Sequence, residues 1–194
     1  MANESKNVLA GVPLATGGIS MAPLGTALPT TAVAALAAPF VAAGYVGEDG
    51  LTESADRSTE KVKAWGGDVV KVVQTDFSTT YTFTFLESLN TEVLKTVYGD
   101  SNVTVTAATT TTGTLRTVKV NADTLPHKVF VFDMKDGGAR IRICVPDGQV
   151  TEVGEISYND GAVIGYEVTV EAFRDSTLNA NAVKYLDDGK FSAV

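Results

Sequence analysis

The chain has 194 residues, is 44% hydrophobic and 20% charged, and carries a net charge of −8. This composition allows one core-bearing domain and excludes a disordered chain. With only 15 Lys and Arg, spread widely, a nucleic-acid-binding surface is excluded, although an acidic wall suits a surface past which DNA slides without adsorbing. The N-terminal MANESKNVLAGV has one Lys and no compact apolar run, so no secretory signal is expected. From Asn7 to Gly47 no side chain is charged, and Pro13, Pro23, Pro29 and Pro39 recur through the region. Residues 1–43 therefore read as an extended arm of small residues rather than a helix or a solvated linker. Such an arm needs a surface, either its own domain or a neighbouring subunit. Its apolar run at residues 32–43 is too short to span a membrane and contains Pro39.

Residues 44–67, GYVGEDGLTESADRSTEKVKAWGG, are abruptly rich in charge and read as a loop, with a boundary near Gly44. Within it, Trp65 beside Gly66-Gly67 is read as a core aromatic in preference to an exposed anchor. Residues 68–174 then read as a β domain. DVVKVVQTDF is a strand, and STTYTFTFLES is a second one with clean alternation: Tyr81, Phe83 and Phe85 on one face, Thr80, Thr82 and Thr84 on the other. LNTEVLKTVYGD is a short helix, capped by Asn90, striped by Leu89, Val93, Leu94 and Val97, and stopped by Gly99. NVTVTAATTTTGTLRTVKV gives two strands around a Thr-rich turn. HKVFVFDMKDGGARIRICVP is a hairpin turning at Asp136-Gly137-Gly138. A last hairpin turns at Asn159-Asp160-Gly161, after which Ile164, Tyr166, Val168 and Val170 alternate with Glu167, Thr169 and Glu171. Residues 175–194 are a polar C-terminal segment without an assigned element. The expected fold is mainly β, a β-rich α+β chain of six to eight mostly antiparallel strands with one helix.

No catalytic signature stands out. HExxH, Cys-x-x-Cys, a P-loop and G-x-S-x-G are all missing, and the one His, His127, cannot anchor the usual zinc sites. Cys144, the one cysteine, reads as a small buried thiol rather than a nucleophile paired with His127. Asp49-Gly50 and Asp147-Gly148 read as turns. Asn102-Val103-Thr104 fits the glycosylation triplet, by chance as easily as by purpose. No enzyme activity, cofactor or metal is expected.

The stretch from GYVGEDGLTESADRSTEKVKAWGGD through STTYTFTFLESLNTEVLKTVYG resembles the signature region of the major tail proteins of long, non-contractile-tailed phages, especially those infecting actinobacteria. The preceding APLGTALPTTAVAALAAPFVAAGYVGEDGL resembles the arm that leads into it. The likeness covers most of residues 20–100 and, more loosely, the strands to about 174. What the resemblance implies is a β-sandwich or half-barrel subunit with a flanking helix. Such subunits form hexameric rings that stack into the tail tube, the conduit for tape-measure protein and genome. Tail terminator and distal tail proteins are the further partners; DNA passes without sequence-specific binding, and no membrane is involved. The subunit is made in the host cytoplasm and ends in the virion tail.

On that basis Thr80, Thr82, Thr84, Glu167, Thr169 and Glu171 are assigned to the lumen, the alternative being a sheet face in bulk water. Tyr81, Phe83, Phe85, Ile164, Tyr166 and Val168 are assigned to the sandwich core. Inter-subunit contacts are assigned to Pro23, Leu24, Leu28, Pro29, Leu36 and Phe40 of the arm. Glu48, Asp49, Glu53, Asp56, Arg57, Glu60, Lys61 and Lys63 of the charged segment join them, as rim ion pairs. Deleting residues 1–43 should then leave a folded, soluble domain that no longer polymerises. Two other readings stand beside this one: a β-sandwich binding or decoration module of a virion, and a contractile-tail or type VI secretion-like tube protein.

Overall fold

The computed structural model describes residues 7–14 and 18–190. The chain is mainly β, with eleven strands and one α-helix among the described residues. The strands are β1 (Val12–Pro13), β2 (Ile19–Pro23), β3 (Val41–Ala42), β4 (Thr52–Lys63), β5 (Val69–Phe85), β6 (Val103–Thr106), β7 (Leu115–Val118), β8 (His127–Asp136), β9 (Ala139–Val153), β10 (Tyr166–Ala172) and β11 (Val183–Asp187). Helix α1 spans Thr91–Tyr98. Nine strands form one antiparallel sheet in the order β3-β2-β8-β9-β10-β5-β4, with β1 also on β8 and β11 also on β9; β6 and β7 form a separate pair.

The large sheet curls until its two ends share one segment. Ala43 N–H donates to the Ile19 carbonyl at 2.9 Å, on the β2 side. A few residues on, Gly47 N–H donates to the Thr84 carbonyl at 2.8 Å and Leu86 N–H to the Tyr45 carbonyl at 3.0 Å, on the β5 side. Residues 41–47 thus close a half-barrel, which leaves fewer raw edges. Gly44 is the crossing point. It has φ +81°, and a Cβ there would lie inside the Glu87 carboxylate, which in turn accepts from Tyr45 N–H at 3.1 Å.

The alternation of β5 builds the core. Tyr81, Phe83 and Phe85 are buried, as are Tyr166, Val168 and Val170 on β10. Phe132 of β8 meets them from across the barrel, its ring 5.2 Å from Tyr81 and 5.6 Å from Phe83. Ile164 lies just before β10 and packs against this core half-buried. Helix α1 plugs one side with Val93, Leu94 and Val97. Asn90 caps it, its side-chain oxygen accepting from Glu92 N–H at 3.1 Å, and Gly99 N–H returns to the Lys95 carbonyl at 2.9 Å. Leu89 does not join the stripe: it sits in the turn before the helix, 71% exposed.

Several expectations change. The arm of residues 1–43 is in part a strand of the body, since β2 pairs with β8 from Ile19↔Phe132 to Pro23↔Lys128 and buries Ile19, Ser20, Met21 and Ala22. Residues 52–63, expected within a loop, are a twelve-residue strand. DVVKVVQTDF and STTYTFTF are one strand of 17 residues, not two. Asp147-Gly148 lies inside β9 rather than at a turn. Gly148 is there because a Cβ would come within 2.7 Å of the Phe130 ring and 3.0 Å of Val170. The C-terminal segment contributes β11, paired with β9 from Val183↔Cys144 to Asp187↔Arg140. Asn102 is buried and its amide nitrogen donates to the Tyr98 carbonyl at 2.9 Å, so the triplet at 102–104 is a structural element rather than a glycan acceptor.

Buried and half-buried acids whose pKa is raised by the fold give it an alkaline limit. Burial, with the Glu53 carboxylate beside it, holds the Tyr81 phenol well above the ordinary tyrosine value. Burial and its neighbours Tyr166 and Tyr158 push Tyr98 up to about 12. Burial also pushes the Cys144 thiol up to about 12, only partly offset by Arg142. In each case the folded state keeps a proton that the unfolded chain releases at lower pH. Stability is therefore full below the unfolded values and falls as pH rises from about 9 towards 12. Thermal melts across that range should show the fall. Tyr81 has no hydrogen-bond partner for its hydroxyl among the described residues. Tyr81→Phe should accordingly flatten the fall and change stability at neutral pH by no more than about 1 kcal/mol.

Candidate assembly surfaces

The β4–β5 ladder begins in the body and leaves it. Its register runs from Thr52↔Thr82 to Lys63↔Val69, with irregularities between Ser58 and Thr59 and between Val62 and Lys63. Near the body, β5 also pairs with β10, from Phe85↔Tyr166 to Thr80↔Glu171. Beyond Thr79, among the described residues, only β4 remains beside it, and residues 58–76 are exposed on both faces. The result is a projecting two-stranded arm with Trp65 at its tip, fully exposed. Trp65 is therefore no core aromatic. Val70, Val72 and Val62 along the arm are also exposed.

Side chains in a strand alternate, and directly paired residues share a face. One face of the ladder continues the core side: Glu53 opposite Tyr81, Arg57 opposite Phe77, Lys61 opposite Val72, then Lys63. Arg57 lies 4.3 Å from the Phe77 ring centre and donates to Gln74 at 3.0 Å. Glu53 is held at the root by Lys184 of β11, 2.5 Å away. The other face carries Asp56 opposite Ser78, Ser58 opposite Asp76 and Glu60 opposite Val73, with Lys71 near the tip. The arm thus segregates charge, with Arg57, Lys61 and Lys63 on the core side and Asp56, Glu60 and Asp76 on the other.

The acidic face runs without a break into the body. Thr80, Thr82 and Thr84 pair with Glu171, Thr169 and Glu167 respectively, and the Thr82 and Thr169 hydroxyls meet at 3.3 Å. The six residues assigned to the lumen therefore form one contiguous patch, with Glu167 exposed and the others half-buried. Glu152 of β9 adjoins it opposite Thr169. Of the residues assigned to the sandwich core, Tyr81, Phe83, Phe85, Tyr166 and Val168 are buried, and Ile164 sits at the margin.

The arm residues divide. Pro23, the last residue of β2, and Leu24 after it are exposed, whereas Leu28, Pro29, Leu36 and Phe40 are half-buried. Residues 31–34 are pinned to the chain's own sheet by Arg142, which donates to the Thr31 carbonyl at 3.0 Å and to the Ala34 carbonyl at 2.6 Å. Arg142 is itself paired with Asp133 at 2.5 Å, the two side chains only 5% and 7% exposed. The sequence carries only a faint signal of this buried pair on β8 and β9, two charged residues in each of the apolar runs KVFVFD and RIRICV. Glu48 and Asp49 form an exposed turn before β4.

His127 faces Asp147 at 2.5 Å, while Cys144 is buried opposite Val131; the two are not brought together as a catalytic pair. No group of His, Cys, Asp and Glu among the described residues is arranged to hold a metal ion. No helix is long and apolar enough to cross a membrane among the described residues.

The half-barrel thus carries a long polar wall and a two-faced projecting hairpin. The phage tail tube protein family matches residues 1–193, and the chain belongs to that family: it is a structural protein of the virion tail, whose copies build a tube. A comparison with curated proteins found no match.

Proposed function

We propose that the chain is a tail tube subunit of a long, non-contractile tail, forming sixfold rings that stack into the conduit for genome delivery. The observation that carries this reading is the single polar face shared by β4, β5 and β10. It presents Thr80, Thr82, Thr84 and Thr169 between the carboxylates of Asp56, Glu167 and Glu171. Turned inward, such a face makes a wet, weakly acidic lumen that repels rather than holds phosphate. The exposed outer edge of β4 is suited to pairing with the sheet of a neighbouring subunit, so that ring closure removes edges that would otherwise aggregate. The exposed charges of the hairpin then serve as ring contacts. Each such pair contributes only about 0–1 kcal/mol, but every contact recurs sixfold. The subunit acts without cofactor or chemistry. Its further partners are the tape-measure protein, the tail terminator and distal tail proteins, and DNA in transit.

Negative-stain electron microscopy of the purified chain tests this directly. Rings or tubes of uniform bore with sixfold end views are expected; monodisperse monomers at every concentration would sink the reading. The lumen assignment has its own test. Glu167→Lys with Glu171→Lys should leave the monomer folded and tubes intact but make the tubes retain added DNA in co-sedimentation, where wild-type tubes do not. Variant tubes that shed DNA as wild-type ones do would place another face inward.

A further inference from the structure

The fully exposed Trp65 has a counterpart at the other end of the same ladder. Residues 44–51 lead into β4 and Glu87 follows β5, so the far end of the ladder from the Trp65 turn is built by these residues. They line an open cleft of about 660 Å³. Its floor is apolar, with Ile19, Val46, Leu51, Phe132 and Met134. Its other lining residues include the carboxylates of Glu48 and Glu87, with Asp133 already paired to Arg142, and no Lys or Arg among those described. The tip has the complementary chemistry. Trp65 is bounded by Gly66 and Gly67, which have positive φ and no atom near their missing Cβ positions, so the indole projects without side chains crowding it. Residues 60–71 carry Lys61, Lys63 and Lys71 against Glu60 and Asp68. Indoles are seldom left wholly in water, because each buries roughly 150–250 Å² when covered.

We propose that the Trp65 tip of one copy seats in this cleft of a second copy, so that the hairpin ladders of successive copies follow one another along the tube axis. The inference rests on the tube reading above and names the contact that stacks one ring on the next. The geometry favours it because tip and socket lie at opposite ends of one rod. β4 has twelve residues, and at about 3.3 Å per residue it is roughly 40 Å long. A knob and a hole at opposite ends of one rod make a head-to-tail contact, which cannot close on itself by a two-fold axis and so propagates. Lysines around the knob and carboxylates around the hole set its polarity and disfavour tip-to-tip pairing.

Trp65 is the one tryptophan of the chain, which makes the test direct. Its emission in the dilute monomer should be that of a water-exposed indole, freely quenched by acrylamide. In sedimented tubes it should shift to the blue and lose several-fold in quenching. A second experiment places the partner. Trp65→Cys and Tyr45→Cys are combined in one chain, Tyr45 being an exposed residue of the cleft and Cys144 being buried. Oxidation of assembled material with copper phenanthroline should give a ladder of disulfide-linked chains extending beyond six. Either single variant should give dimers at most. Tubes whose Trp65 stays solvent-like and fully quenchable overturn the docking while leaving the tube reading intact, and they do so even where the cysteine variants fail to assemble. A ladder that stops at six puts the contact within a ring and overturns the end-to-end arrangement. A chain that never assembles overturns both.

Discussion

A chain lacking residues 1–43 is expected to be unfolded, not a folded domain that has lost its ability to polymerise. β2 is an integral strand: its five residues pair with β8 and place Ile19 and Met21 in the core, against Phe132 and Phe130. Met21 also accepts a hydrogen bond from Thr96 of α1 at 3.3 Å, so the strand ties the helix to the sheet. Ala43, at the other end of the deleted stretch, is wholly buried. Losing either Ile19 or Met21 alone corresponds to a core truncation of about 2–5 kcal/mol. The deletion removes both, strips the cover from buried Val129 and Val131, and leaves the N–H and C=O groups of one β8 edge unpaired. Against a typical total stability of about 5–15 kcal/mol, that is more than the fold can lose. Far-ultraviolet circular dichroism and a thermal melt check it: no cooperative transition is expected. A cooperative melt from a soluble monomer would restore the picture of a detachable arm.

The fold class was legible because β5 and β10 bury one face and solvate the other, which writes a period of two into STTYTFTF and YEVTVEA. Helix α1 was legible from its caps. The hairpin arm was not. β4 is exposed on both faces, so no apolar alternation marks it, and its charges looked like those of a loop. What does alternate along it is charge, Asp56 and Glu60 against Arg57, Lys61 and Lys63, and that pattern is visible only once a strand is assumed. β2 was missed for the opposite reason. Both of its faces are covered, so ISMAP shows no periodicity, and the prolines around it suggested an irregular chain. Asp147-Gly148 reads as a turn in sequence because Gly serves turns and close packing alike. Here the close contact with Phe130 and Val170 is the reason. The shared face of the six residues proposed for the lumen was legible from the same alternation, since the β5–β10 register places them side by side. The core-side contacts of the charged segment, such as Glu53 with Lys184, depend on pairing across 131 positions of chain and left no local trace.

Arg142→Ala should be the most damaging single substitution on the outer face of the barrel. Asp133 and Arg142 sit opposite each other on β8 and β9, buried beneath residues 31–34. The guanidinium satisfies both Asp133 oxygens, at 2.5 and 3.1 Å, and the Thr31 and Ala34 carbonyls. Its removal leaves a carboxylate buried and unpaired, which costs about 3–5 kcal/mol. For a chain of this size each kcal/mol moves the melting temperature by roughly 2–4 °C, so the fall should be near 10 °C. The same substitution releases two carbonyls, and residues 31–36 should become the first segment cut in limited proteolysis. The double variant Asp133→Leu with Arg142→Met separates the two roles. An apolar pair of similar volume recovers the charge-burial penalty, but it cannot bind the two carbonyls, each such lost bond being worth about 1 kcal/mol. The double variant should therefore melt within a few degrees of wild type and still be cut early at residues 31–36. Equal protease resistance in the double variant would mean that apolar packing alone holds that segment down, and that Arg142 serves only to neutralise Asp133.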